Sequence, residues 1–169
     1  LLDDDLYIVG IDISHRAVEE ASQYYDETHV YDVESEKPSD LFDYGFDCIV
    51  CLEVLEHLFN PNSLLDDLKK SLNSNGLLIT SFPNFVYYKY RLDMLSGRVP
   101  QDYTLYSSSE HIQNFTINSF TSLLNDCGFE NHKLYPSFSG PKFIPNFIQH
   151  KSPSLFANQI VVRSHPSNI

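Results

Sequence analysis

Apolar positions along the chain switch between two periods. Leu6 to Ile11 ("LYIVGI") is a short, nearly unbroken apolar run with β-branched residues, the pattern of a buried strand. Ser14 then suits the cap of a helix over "HRAVEEASQYY", with Ala17, Val18, Ala21 and Tyr25 on one face. Thr28 to Asp32 ("THVYD") and Phe46 to Leu52 ("FDCIVCL") read as further strands. Asn60 and Pro61 open a helix whose stripe is Leu64, Leu65, Leu68 and Leu72, and Gly76 is expected in the left-handed position after its end. Leu77 to Phe82 ("LLITSF") is the next strand, stopped by Pro83.

Strands alternating with helices of this length predict right-handed β-α-β units. The expected class is α/β, a Rossmann-like, mostly parallel sheet with helices on both faces. The later chain changes character. Thr116 caps "INSFTSLLNDCG", with Ile117, Phe120, Leu124 and Cys127 on one face and Gly128 at the end. "FENHKLYP" and "LFANQIVVRS" predict a C-terminal antiparallel strand pair, joined by a surface loop over Pro136 to Pro153. No repeat or internal boundary interrupts the pattern, so residues 1–169 are expected to form one domain.

Length and charge narrow this picture. A chain of 169 residues, 42% hydrophobic and 20% charged, is ordinary for a globular domain with a real core. A formal net charge of −12 repels phosphate backbones and disfavours a nucleic-acid partner. Three cysteines, Cys48, Cys51 and Cys127, make no disulfide framework and fit a cytoplasmic protein. Cys48 and Cys51 lie three apart in a strand and so point to opposite faces. No apolar run is long enough to span a bilayer.

In an open parallel sheet, ligands bind beyond the carboxyl ends of the strands. The residues there are Asp12 and Ile13, Asp32 and Val33, Leu52 and Glu53, then Pro83 and Asn84. One acid can take both ribose hydroxyls of a nucleoside, and a second can accept from an adenine amino group. Together they suggest an adenosine cofactor, although each also suits the cap of its own turn.

The order "VGIDIS…AVEEA", "YDVE" and "FDCIVCLEVLEHLFNPNSLLDDLKKSLNSNGLLITSFPN" resembles the class I S-adenosylmethionine-dependent methyltransferases over roughly Leu6 to Tyr135. Within them it is similar to the ubiquinone-biosynthesis O-methyltransferases and the methionine-biosynthesis W-like proteins. The resemblance implies S-adenosylmethionine as cofactor, S-adenosylhomocysteine as product, and a small-molecule acceptor. It places Asp12 on the cofactor ribose and Ile13 against the adenine. Asp32 and Val33 fall at the adenine edge, and Leu52, followed by Glu53, near the methionine part. The chain departs from the family at its start. The family carries a strand and a glycine-rich loop before "VGIDIS", where this chain has only "LLDDD".

Glu53, Glu56 and His57 are spaced to share one face of a helical turn. In ubiquinone-type and small-RNA end methyltransferases such an E-x-x-E-H set binds a divalent metal, and His111 matches the further histidine of the RNA enzymes. The preferred expectation is no metal, with the two glutamates simply favouring the start of a helix. His57 and His111 are then the candidate bases, since histidine titrates near neutral pH. Phe85, Tyr87, Tyr88, Tyr90, Tyr103 and Tyr106 suit an aromatic lid over the acceptor, or equally a helix packed on the sheet or a homodimer contact. Lys89, Arg91 and Arg98 in the same segment suit solvated side chains before an anionic acceptor. Two other classes fit parts of the pattern: a non-catalytic methyltransferase-like binding module, and a nucleotide-dependent oxidoreductase that would also use Asp12.

Overall fold

A computed structural model describes residues 6–99, 111–138 and 145–167. In chain order the strands are β1 (Val9–Asp12), β2 (Glu27–Val30), β3 (Phe46–Cys51), β4 (Leu72–Pro83), β5 (Phe129–Phe138) and β6 (Ala157–Pro166). The helices are α1 (His15–Ala21), α2 (Pro38–Leu41), α3 (Pro61–Ser71), α4 (Tyr88–Leu95), α5 (Ile117–Asp126), α6 (Asn146–Lys151) and α7 (Pro153–Phe156), with a 3-10 turn at Leu55–His57.

The strands form two ladders. β1 and β2 pair in parallel, and the second sheet runs in the order β3-β4-β6-β5. β3 and β4 are parallel, whereas β6 is antiparallel to both β4 and β5. The α/β class and the antiparallel C-terminal pair are thus as expected. β1 and β3 each keep one edge without a strand partner among the described residues. Between these edges the resemblance would place the family's first strand.

β4 is the centre of the second sheet. Leu78, Thr80, Ser81 and Phe82 are all buried, as expected for a strand with partners on both edges and layers on both faces. Asn60 caps α3 by accepting from the Ser63 N–H at 3.3 Å, with Pro61 in the first turn. Leu64, Leu65 and Leu68 face the sheet. α5 is closed at its start by a reciprocal box between Thr116 and Ser119, and it ends at Gly128 with φ +74. Its Phe120 stacks on Phe82 at 4.2 Å between ring centroids, with Phe115 edge-on at 5.0 Å.

Two expectations are corrected. Gly76 is a buried residue inside β4, not a left-handed helix end, because β4 begins at Leu72, directly after α3. An added Cβ there would lie 2.9 Å from the Asn73 carbonyl oxygen, so the close backbone requires glycine. The connection before β6 is not wholly loop, since it carries α6 and α7. Tyr103 and Tyr106 of the expected aromatic segment lie outside the described residues.

Phe120→Ala should lower the unfolding free energy by about 3–5 kcal/mol, because it removes a fully buried ring from the three-ring stack. The check is the urea midpoint at unchanged m-value.

Candidate functional site

Four chain segments meet at the carboxyl ends of β1, β2, β3 and β4. At the end of β1, the Ser14 N–H donates to Asp12 Oδ1 at 2.8 Å and Ser14 caps α1. Asp12 is exposed, as is Ile13. The ladder register sets Asp12 opposite Val30, and the Tyr31 N–H donates to the Asp12 carbonyl. Adjacent strand ends therefore carry Asp12 and Asp32. Asp32 organises its own turn: Oδ1 accepts from the Glu34 N–H at 3.0 Å and Oδ2 from the Ser35 hydroxyl at 2.8 Å. These bonds hold its carboxyl below the usual range. Val33 packs against the core, and Glu34 accepts from the Phe59 N–H at 2.7 Å, which ties the β2 loop to the β3 loop.

β3 ends abruptly. Leu52 is exposed, and Glu53 takes a left-handed backbone with φ +54, a conformation that costs a non-glycine residue energy. Two partners hold it there. Ser81 on β4 donates to Glu53 Oε1 at 2.7 Å and accepts from the Glu53 N–H, while Gln159 on β6 donates to the same oxygen at 2.9 Å. Sequence reasoning missed both. Gln159 is 106 residues away, and neither residue belongs to a motif.

The reversal at Glu53 starts the 3-10 turn that buries Glu56 completely. The Glu56 carbonyl accepts the N–H groups of Ile112 at 2.8 Å and Gln113 at 2.9 Å. That clamp brings His111 beside His57, with ring centroids 4.9 Å apart. One ligand atom from each of Glu56, His57 and His111 lies within 4.8 Å of the others. Glu53 is not in this group. Of the four metal-ligand candidates Glu53, Glu56, His57 and His111, the structure brings three together, and Glu53 instead bonds Ser81 and Gln159.

Neither carboxylate oxygen of Glu56 has a hydrogen-bond partner among the described residues. Burial, helped by the nearby Glu53 charge, pushes its carboxyl up to about 7. Cys51 behind it is buried and its thiol is pushed up to about 12 by burial, so it is a packing residue. Cys48, Cys51 and Cys127 are free thiols. Asn84 is also structural. Its side-chain amide donates to the carbonyls of Ser154 and Ala157, pinning the end of β4 to the start of β6.

The comparisons with known proteins place the chain in a family. A family model described as a methyltransferase domain matches residues 6–134, and the chain belongs to that family. More particularly, it is a member of the class I S-adenosylmethionine-dependent methyltransferases. A "Probable S-adenosylmethionine-dependent methyltransferase" of Mycobacterium tuberculosis is 27% identical over 136 residues, covering 80% of this chain and 45% of that protein. The ubiquinone biosynthesis O-methyltransferase of Glaesserella parasuis is 40% identical over 52 residues, 31% of this chain and 22% of that protein. The chain therefore spans less than half the length of these curated relatives. The solved structure of a SAM-dependent methyltransferase from Thermotoga maritima superposes with a TM-score of 0.66 at 18% identity, covering 94% of this chain and 72% of that one.

Glu56 also sets a pH dependence. The unfolded chain ionises it near 4.5, the folded chain near 7, so the folded state holds this proton more tightly. Its stabilising contribution is full below 4.5, declines as pH rises from 4.5 to 7, and is gone above 7. Metal-free protein should lose about 2 kcal/mol of stability between pH 5 and pH 8 relative to Glu56→Gln, measured as the difference in urea midpoints.

Proposed function

We propose that this chain binds S-adenosylmethionine across the carboxyl ends of β1, β2 and β3 and transfers its methyl group to a small-molecule acceptor. The observation that carries this reading is the convergence at one end of the sheet. Exposed Asp12 sits on β1, Asp32 on the adjacent strand end, and the Glu56–His57–His111 group after β3. A carboxylate has lone pairs for about four hydrogen bonds. Asp12, with one oxygen oriented by Ser14, keeps capacity for two ribose hydroxyls, and Asp32 keeps capacity for an adenine amino group. Ile13, Val33 and Leu52 supply apolar contact and exclude water.

S-adenosylmethionine supplies an electrophilic methyl group for direct displacement. The protein then mainly positions its substrates, since orientation is the larger part of such a barrier. His57 and His111, with ring centroids 4.9 Å apart, are the bases that would take the proton of an acceptor hydroxyl. Membership of the methyltransferase family favours this over nucleotide-dependent oxidation. Free cysteines fit a cytoplasmic setting, and no helix among the described residues is long and apolar enough to cross a membrane.

Calorimetric titration with S-adenosylhomocysteine tests the cofactor site. Asp12→Ala should weaken binding by about 10- to 100-fold, the value of a charge-assisted hydrogen-bond pair. Binding unchanged in Asp12→Ala would move the cofactor elsewhere. No binding by any form of the full-length protein would favour a non-catalytic binding module.

A second reading of the histidine pair is favoured by Glu56. A fully buried carboxylate without a hydrogen-bond partner, facing two imidazoles, is a donor set for a divalent cation such as Mn²⁺ or Zn²⁺. On that reading Glu56, His57 and His111 hold the ion, which would act as a Lewis acid on the acceptor oxygen. Mn²⁺ or Zn²⁺ should then raise the Tm of the wild type by several degrees and leave Glu56→Gln unmoved. Equal shifts in both would leave the histidines as metal-free bases.

A further inference from the structure

Phe59 stands one residue before Asn60, the cap of α3. An apolar residue in that position commonly folds back onto the fourth residue of the helix, here Leu64, as a staple. Leu64 is buried, but Phe59 is 75% exposed, so its ring is not spent on the start of α3. A single exposed ring is ordinary on a protein surface. Phe59 differs in what holds its backbone.

The Phe59 N–H donates to Glu34 Oε1 at 2.7 Å. The Glu34 N–H in turn donates to Asp32 Oδ1 at 3.0 Å. Phe59 follows β3 in the chain and Asp32 follows β2. Two consecutive hydrogen bonds therefore fix the backbone of Phe59 to the strand end that carries Asp32. Both have a carboxylate acceptor, the stronger kind of hydrogen bond. A phenyl side chain turns about two bonds only, so anchoring its backbone confines the ring at small entropic cost.

Asp32 is the acid given above to an adenine amino group, and Ile13, 67% exposed at the end of β1, is the apolar cover of that base. A purine has two faces, and one aliphatic side chain covers only one of them. An aromatic ring suits the other, because a base stacks on a π-face whatever its hydrogen-bonding edge.

We propose that Phe59 is the stacking platform for the second face of the adenine, so that the base lies between Ile13 and Phe59 with its amino group on Asp32. Glu34 is the positioning residue that holds the platform there. This role rests on the cofactor site proposed above and adds a purine-selecting element to it.

The test uses calorimetry and fluorescence on the full-length protein. Phe59→Ala should weaken S-adenosylhomocysteine binding about 5- to 100-fold, the value of one base–aromatic stack. Its Tm should match wild type, since the ring is exposed. Glu34→Ala should weaken binding several-fold, and adding it to Phe59→Ala should cost little more, because both act through one ring. The chain has no tryptophan, so Phe59→Trp carries a single indole reporter. Its emission should be quenched by S-adenosylhomocysteine and by adenosine, and left unchanged by methionine. Binding by Phe59→Ala within twofold of wild type would overturn the proposal. So would a Phe59→Trp emission that saturating adenosine leaves unchanged, or a Tm several degrees lower in Phe59→Ala, which would make the ring a packing residue. Each of these leaves the cofactor site standing if wild type binds S-adenosylhomocysteine. No binding by wild type would remove the cofactor site and the platform together.

Discussion

The main-chain carbonyl of Glu56 accepts two N–H groups from the segment 112–113, and the candidate site depends on that clamp. It is made possible by the left-handed residue at Glu53, which turns the chain off β3 into a 3-10 turn instead of continuing it outward. Ser81 and Gln159 hold that turn from two other strands. The cost of one unfavourable backbone conformation is thus offset by charge-assisted hydrogen bonds from the core sheet. What results is a buried acid next to two imidazoles that are far from it in sequence or in the wrong local geometry to meet it unaided.

The core explains why this arrangement is firm. The second half of β4 is buried at Leu78, Thr80, Ser81 and Phe82, and the Phe82–Phe120–Phe115 stack locks α5 to it. Phe115 lies two residues beyond Gln113, so the segment that carries His111 is anchored at one end by packing and at the other by the Glu56 clamp. Gln113 adds a side-chain bond to the Leu58 carbonyl. The β1–β2 ladder is attached more lightly. Its links to the larger sheet include Tyr44 to Glu27, the ring contact of His29 with Phe42, and Phe59 to Glu34. All but the last are at the end opposite the cofactor residues, or in side chains rather than strand ladders.

Much of the fold was legible. Each expected strand and the three helices with side-chain caps are present, because their signals are local: periodicity, the caps at Ser14, Asn60 and Thr116, and Gly128. Gly76 misled because a strand that starts directly after α3 needs no left-handed exit, and its glycine serves a close backbone approach instead. α6 and α7 were missed because short helices in a proline-rich stretch carry little periodicity.

The sequence by itself determined the order of strands and helices, and with it the placing of Asp12, Asp32 and Leu52 at strand ends, because a parallel sheet with one chain direction puts those positions on one side. It also named Glu56, His57 and His111. Only the tertiary structure decided that these three converge while the Glu53 carboxylate is taken up by Ser81 and Gln159. That choice rests on partners as distant as Gln159 and on the burial of Glu56, and neither spacing nor periodicity encodes long-range hydrogen bonding or desolvation.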